Sequence, residues 1–170
     1  MNTITFDKLL LKTAFCCMAS DGDIDKREVA QIKKMCEKSD LFKDFDFQNQ
    51  INKLVERINN EGKRFIQYYF GLLESSELST EEELTIIDFA IQTIYADEIV
   101  QYSEVKFFKN IRHRLKVSDE KIMERFPDLE EFFLEDDIKT DFSIEKLTNQ
   151  YLEIANIPQF DKIDLPIYNK

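Results

Sequence analysis

The 170-residue chain has no tryptophan, a single histidine, and only three each of glycine, proline and cysteine. Turn-dense sandwiches and barrels need far more glycine and proline, so this shortage excludes an all-β fold. Gly22, Gly62 and Gly71 are scattered and complete neither GxxxxGK[ST] nor GxGxxG, which removes the two common glycine-rich phosphate cradles. Cys16, Cys17 and Cys36 are an odd set without paired spacing, suited to neither structural zinc nor an ordinary bridge. They read as small core residues in a reducing, cytoplasmic location. No apolar run reaches the roughly 18 residues of a membrane span. Residues 9–19 come nearest, but Lys12 interrupts them and Asp7 offsets Lys8, so the stretch reads as a core helix and not as a signal peptide. Positive charge is also short: 23 Lys and Arg face 34 Asp and Glu, a net −11 that opposes binding to nucleic acid or to anionic membranes.

What is present is helical periodicity. Leu11, Ala14, Phe15 and Met18 fall at i, i+3, i+4 and i+7 and predict a first helix over about 3–20, ended by Asp21-Gly22. Asp25-Lys26-Arg27-Glu28 has the form of a capping box ahead of Val29, Ile32 and Met35. Further stripes begin at Phe47, Phe65, Leu84 and Val105, Ser79 and Ser118 are N-cap signals, and Leu147, Tyr151 and Ile154 suggest an eighth helix. The expectation is an all-α fold of about seven helices in residues 1–127, followed by an arm over 128–170. That arm carries a net −7 together with Phe132, Phe133, Phe142, Tyr151, Phe160 and Tyr168. So many aromatics argue that it folds back onto the bundle, against Lys106, Lys109, Arg112, Arg114 and Lys116; the other reading is an arm that docks on another protein.

A shift of 76 positions lays Asp21 on Asp97, Ile24 on Val100, Glu28 on Glu104 and Val29 on Val105, with Phe15 and Met18 on Ile91 and Ile94 upstream. The halves, about 3–60 and 79–127, share an apolar helix, then D-x-x-[IV]-x-x-x-E-V, then a second stripe. The loops Ala19-Ser20-Asp21-Gly22-Asp23-Ile24-Asp25-Lys26-Arg27-Glu28 and Tyr95-Ala96-Asp97-Glu98-Ile99-Val100-Gln101-Tyr102-Ser103-Glu104 resemble the paired ADG-x-[VI]-x-x-x-E loops of the tellurite-resistance TerB-like family over about residues 3–126. The second copy has Glu98 where the motif has glycine. The resemblance implies a TerB-like all-helical bundle of two pseudo-repeated halves, clustered acids that hold divalent metal, and a role in bacterial stress response.

Asp21, Glu28, Asp97 and Glu104 are the candidate metal ligands, a hard oxygen donor set suited to Ca²⁺, Mg²⁺ or Mn²⁺ if the loops meet across a pseudo-twofold. Local capping explains the same residues without an ion: Asp21 as an Asx turn, Glu28 as the partner of Asp25. An EF-hand does not fit, because Lys26 and Ile32 stand where its Gly and Glu belong. Asp88 lies on Lys12 under the shift, and either a Lys12–Asp88 pair or a carboxylate reaching water accounts for it. His113, between two arginines, reads as solvated. With no histidine in either repeat and no second general acid, catalysis is not expected. Two functions remain: a divalent-cation-binding protein of a stress pathway, or an interaction module whose acidic loops are only caps.

Overall fold

The computed structural model describes residues 5–38, 46–97, 100–130, 133–134 and 144–163. Among them are eight α-helices and no strand: α1 (Phe6–Ala19), α2 (Lys26–Lys38), α3 (Phe47–Glu61), α4 (Lys63–Ser75), α5 (Thr80–Ile94), α6 (Tyr102–Arg112), α7 (Asp119–Arg125) and α8 (Ile144–Ile154). A 3-10 turn, Tyr95–Asp97, extends α5. None of these helices is long and apolar enough to cross a membrane.

The helix α1 is buried nearly all round, including the consecutive Leu9, Leu10 and Leu11 and everything from Thr13 to Ala19. A helix without a polar face belongs at the centre of a bundle. Its main neighbour is α5, its counterpart under the 76-residue shift, while α3 and α4 close its other sides. Thr13, the one buried polar residue on α1, donates to the Leu9 carbonyl at 2.9 Å and shares a 2.6 Å hydrogen bond with the Tyr69 hydroxyl. These two hydroxyls are therefore satisfied inside the core.

Local chemistry sets the helix ends. Ser79 and Glu82 form a reciprocal capping box on α5, with the Ser79 N–H donating to Glu82 at 2.9 Å and the Glu82 N–H to Ser79 Oγ at 3.1 Å. Asp46 accepts from the Asn49 N–H at the start of α3. The step from α3 to α4 is a single residue, Gly62, at φ +59°, a backbone state that favours glycine. Glu83, buried on α5, reaches across to accept the backbone N–H groups of Lys116 and Val117 and so fixes the connection between α6 and α7.

In the arm, α8 packs on α6. Tyr151 is fully buried, with its ring 5.4 Å from Phe107 and its hydroxyl donating to the Ser20 carbonyl at 3.0 Å. At the joint, buried Asn110 donates to the Leu147 carbonyl and its Oδ1 accepts from Arg114 and Thr148. Hydrogen bonds to neutral side chains also tie α8 to this face. Lys106 donates to Gln150 and Arg114 to Thr148, both neutral groups, whereas the ion pair of Arg114 is with Glu74 on α4. Beyond α8, residues 155–163 run without regular structure across α3 as a strap. Phe133 is buried against Phe108, at 5.1 Å between ring centroids. Phe132, Phe142 and Tyr168 lie outside the described residues.

Two expectations change. Lys12 and Asp88 do not pair: Asp88 accepts from Gln92 one turn along its own helix, and Gln92 accepts in turn from Gln31 on α2. Lys12 is half-buried, and burial followed by the neighbouring Arg57 charge lowers its pKa. His113 is half-buried rather than solvated, because it forms the C-cap of α6 with its Nδ1 at 3.1 Å from Arg112.

Candidate functional site

Each acidic loop starts where a central helix stops. Ser20 turns its hydroxyl back to the Cys17 carbonyl at 2.7 Å, and the Gly22 N–H closes on Ala19 at 3.0 Å. Gly22 then takes φ +84° and redirects the chain toward α2. Asp21 Oδ1 accepts the Asp23 N–H at 3.0 Å, an Asx turn within the loop. Asp25 accepts the Arg27 N–H at 2.7 Å and binds the Arg27 guanidinium, whose hydrogen bonds hold its carboxyl below the usual carboxylate range.

The glutamates behave differently from the aspartates: Glu28 is 1% exposed and Glu104 is fully buried. Each accepts the backbone N–H three residues before it, Asp25 to Glu28 at 3.1 Å and Gln101 to Glu104 at 2.9 Å. The two halves thus repeat the same bond, as the 76-residue shift requires. Both charges also bear on one atom, the Cys17 sulfur. Burial pushes that thiol well up, and Cys16, Glu104 and Glu28 push it further. Cys17 is completely buried on α1, and a carboxylate from each half acts on it. Burial pushes up the Cys16 thiol as well, and raises Cys36 to about 12. None of the three is a nucleophile at neutral pH.

Of the four candidate ligands, Asp21 lies in the first loop and Glu28 and Glu104 in the first turns of α2 and α6, whereas the Asp97 side chain and residues 98–99 lie outside the described residues. The backbone of the 3-10 turn that contains Asp97 packs against α2. Among the described residues no three His, Cys, Asp or Glu side chains come together as a group able to hold a metal.

The sequence reading missed the part the arm plays here. Tyr151 binds Ser20, next to Asp21, and burial, then Cys16, Cys17 and Asp21, push its hydroxyl up. A Cβ on Gly22 would stand 2.4 Å from the Asn156 carbonyl oxygen, a backbone atom that cannot rotate aside. The arm therefore closes the first loop, and glycine is needed there for two independent reasons. Replacing Gly22 by Ala should destabilise the fold by about 1–3 kcal/mol. It should also speed tryptic cleavage at Lys162, seen on a digestion time course beside a thermal melt; unchanged melting and cleavage would disprove the contact.

The sequence model of the family described as tellurite resistance protein TerB matches residues 10–125, more than half of the chain. No curated protein and no solved structure matches it. The match spans both acidic loops and helices α1 to α7 apart from the first turn of α1, so the chain belongs to the TerB family of tellurite resistance proteins.

Proposed function

We propose that the protein is a non-catalytic, cytoplasmic member of its family that binds a divalent cation through Asp21, Glu28, Asp97 and Glu104 and serves a bacterial stress response of the tellurite-resistance kind. The observation that supports this reading is the burial of two carboxylates, Glu28 and Glu104, at matching positions of the two halves. Like charges removed from water are costly unless neutralised. An all-oxygen donor set suits Ca²⁺, Mg²⁺ or Mn²⁺, which would bridge the loops and offset that cost.

A second reading, an interaction module with purely structural loops, is favoured by the hydrogen bonds themselves. Asp21, Glu28 and Glu104 each already accept a backbone N–H in the way that caps and Asx turns do. Calorimetric titration separates the two. Under the metal reading Ca²⁺, Mg²⁺ or Mn²⁺ binds saturably, Asp21→Asn with Asp97→Asn weakens binding at least tenfold, and the ion raises the melting temperature by mass action. No uptake at millimolar ion, or equal binding by the double variant, establishes the capping reading.

A further inference from the structure

The strap is gripped in an unusual way. Asn52 on α3 donates to the Ile163 carbonyl at 2.8 Å and accepts the Ile163 N–H at 2.7 Å. Asn59 does the same to Phe160, at 2.9 and 2.7 Å. Each side-chain amide presents one donor and one acceptor side by side, as the edge of a strand does, and so reads main chain without regard to the side chain it carries. The spacings agree. Seven helical residues advance about 10.5 Å, and three residues of an extended, polyproline-like segment advance about 9 Å. Two asparagines a heptad apart on a helix therefore meet every third residue of an extended chain running antiparallel to it. The side chains keep the same period: Ile157, Phe160 and Ile163 lean on the core, while Gln159, Asp161 and Lys162 are exposed.

Gln159 adds a further bond, donating to the Asn59 carbonyl at 2.9 Å. None of residues 156–163 is buried. Beyond the contact of Asn156 with Gly22, an open cleft of about 340 Å³ lies between the rest of the strap and the first loop. A segment with so few buried apolar contacts opens at less cost than the global fold.

We propose that the Asn52–Asn59 face of α3 is a docking groove for an extended peptide segment of a partner protein with an apolar residue at every third position, and that residues 157–163 occupy it as an internal competitor. The groove selects for extended backbone and for the three-residue apolar period, and it becomes available when the strap lifts. This goes beyond the cation reading and does not depend on it.

The test uses the full chain and a fluorescent peptide copying residues 157–163. Phe160→Asp with Ile163→Asp weakens the strap's apolar hold, and the peptide should then bind at least tenfold more tightly than to the unaltered chain. Adding Asn52→Ala and Asn59→Ala should abolish that gain, as should methylating the peptide's Phe160 and Ile163 amide nitrogens. Absence of saturable binding to an opened chain of unchanged helix content, or binding indifferent to the asparagines, overturns the proposal. Should the opened variant lose helix, hydrogen exchange on the unaltered chain decides. Phe160 and Ile163 amides that exchange through an opening cheaper than that of Phe15 in α1 support the groove, and amides that exchange only with Phe15 overturn it.

Discussion

Raising the pH from 8 to 10 should remove roughly 6 kcal/mol of folding stability, enough to unfold a domain of ordinary stability. Cys16, Cys17 and Cys36 are all buried and unbridged, and burial raises each thiol pKa. An unfolded thiol loses its proton near pH 8.5, whereas the folded thiols hold theirs well beyond that value. Above pH 8.5 the unfolded state therefore binds fewer protons than the folded one, and stability falls as pH rises. Each thiol gives up about 2 kcal/mol by pH 10, and the contribution is intact below pH 8.5. Tyr69 and Tyr151, also raised by burial, extend the decline above pH 10. Urea unfolding at a series of pH values measures the slope, and Cys36→Ala should reduce it by about one third. A flat profile to pH 10 would show that the thiols are not enclosed as described.

Truncating Phe107 to Ala should cost about 3–5 kcal/mol, the usual figure for removing a buried aromatic ring. Its ring is inaccessible to water and lies 5.4 Å from Phe70, 5.4 Å from Tyr151 and 6.1 Å from Tyr69, so one residue touches α4 on one side and the arm on the other. The loss should also loosen α8, because Tyr151 would keep its bond to Ser20 but lose the ring that seats it. Denaturant unfolding gives the first quantity and hydrogen exchange at α8 the second. A cost below about 1 kcal/mol would mean that the α4, α6 and α8 rings do not form a single packed layer.

The helical fold and the family were legible because the signals are local. Stripes at Ile51, Leu54, Val55 and Ile58, the hydroxyl of Ser79, and the glycines at Gly22 and Gly62 act within one or two turns of themselves. The cap at Glu28 was legible for the same reason, since its partner is three residues away. What escaped was set by residues far apart in sequence. On α6 the apparent stripe is Val105, Phe108 and Ile111, yet Phe107, Lys106 and Lys109 are buried too, because α8 covers what looks like the polar face. The expectation that the arm sits beside Lys106 and Lys109 comes from the arm's own charge and aromatics, not from any signal within α6. Lys12 and Asp88 failed to pair because an in-helix partner, Gln92, was nearer to Asp88. Asn52 and Asn59 looked like ordinary polar positions beside an apolar stripe, and only the main chain of residues 160 and 163 gives them a role. The duplication itself was legible, and the matched bonds of Glu28 and Glu104 repeat it.

The central position of α1 has a consequence for how the protein is made. Its fourteen residues, mostly apolar, leave the ribosome well before the helix that covers them most, α5, which ends at Ile94. At synthesis rates of about 5–20 residues per second, that leaves an interval of roughly 4–15 s. During it α1 can gather α3 and α4 but cannot be enclosed. The nascent chain therefore carries an adhesive segment until α5 is made, and cells short of trigger-type holding chaperones should lose this protein to aggregation on the ribosome sooner than they lose its finished form to heat.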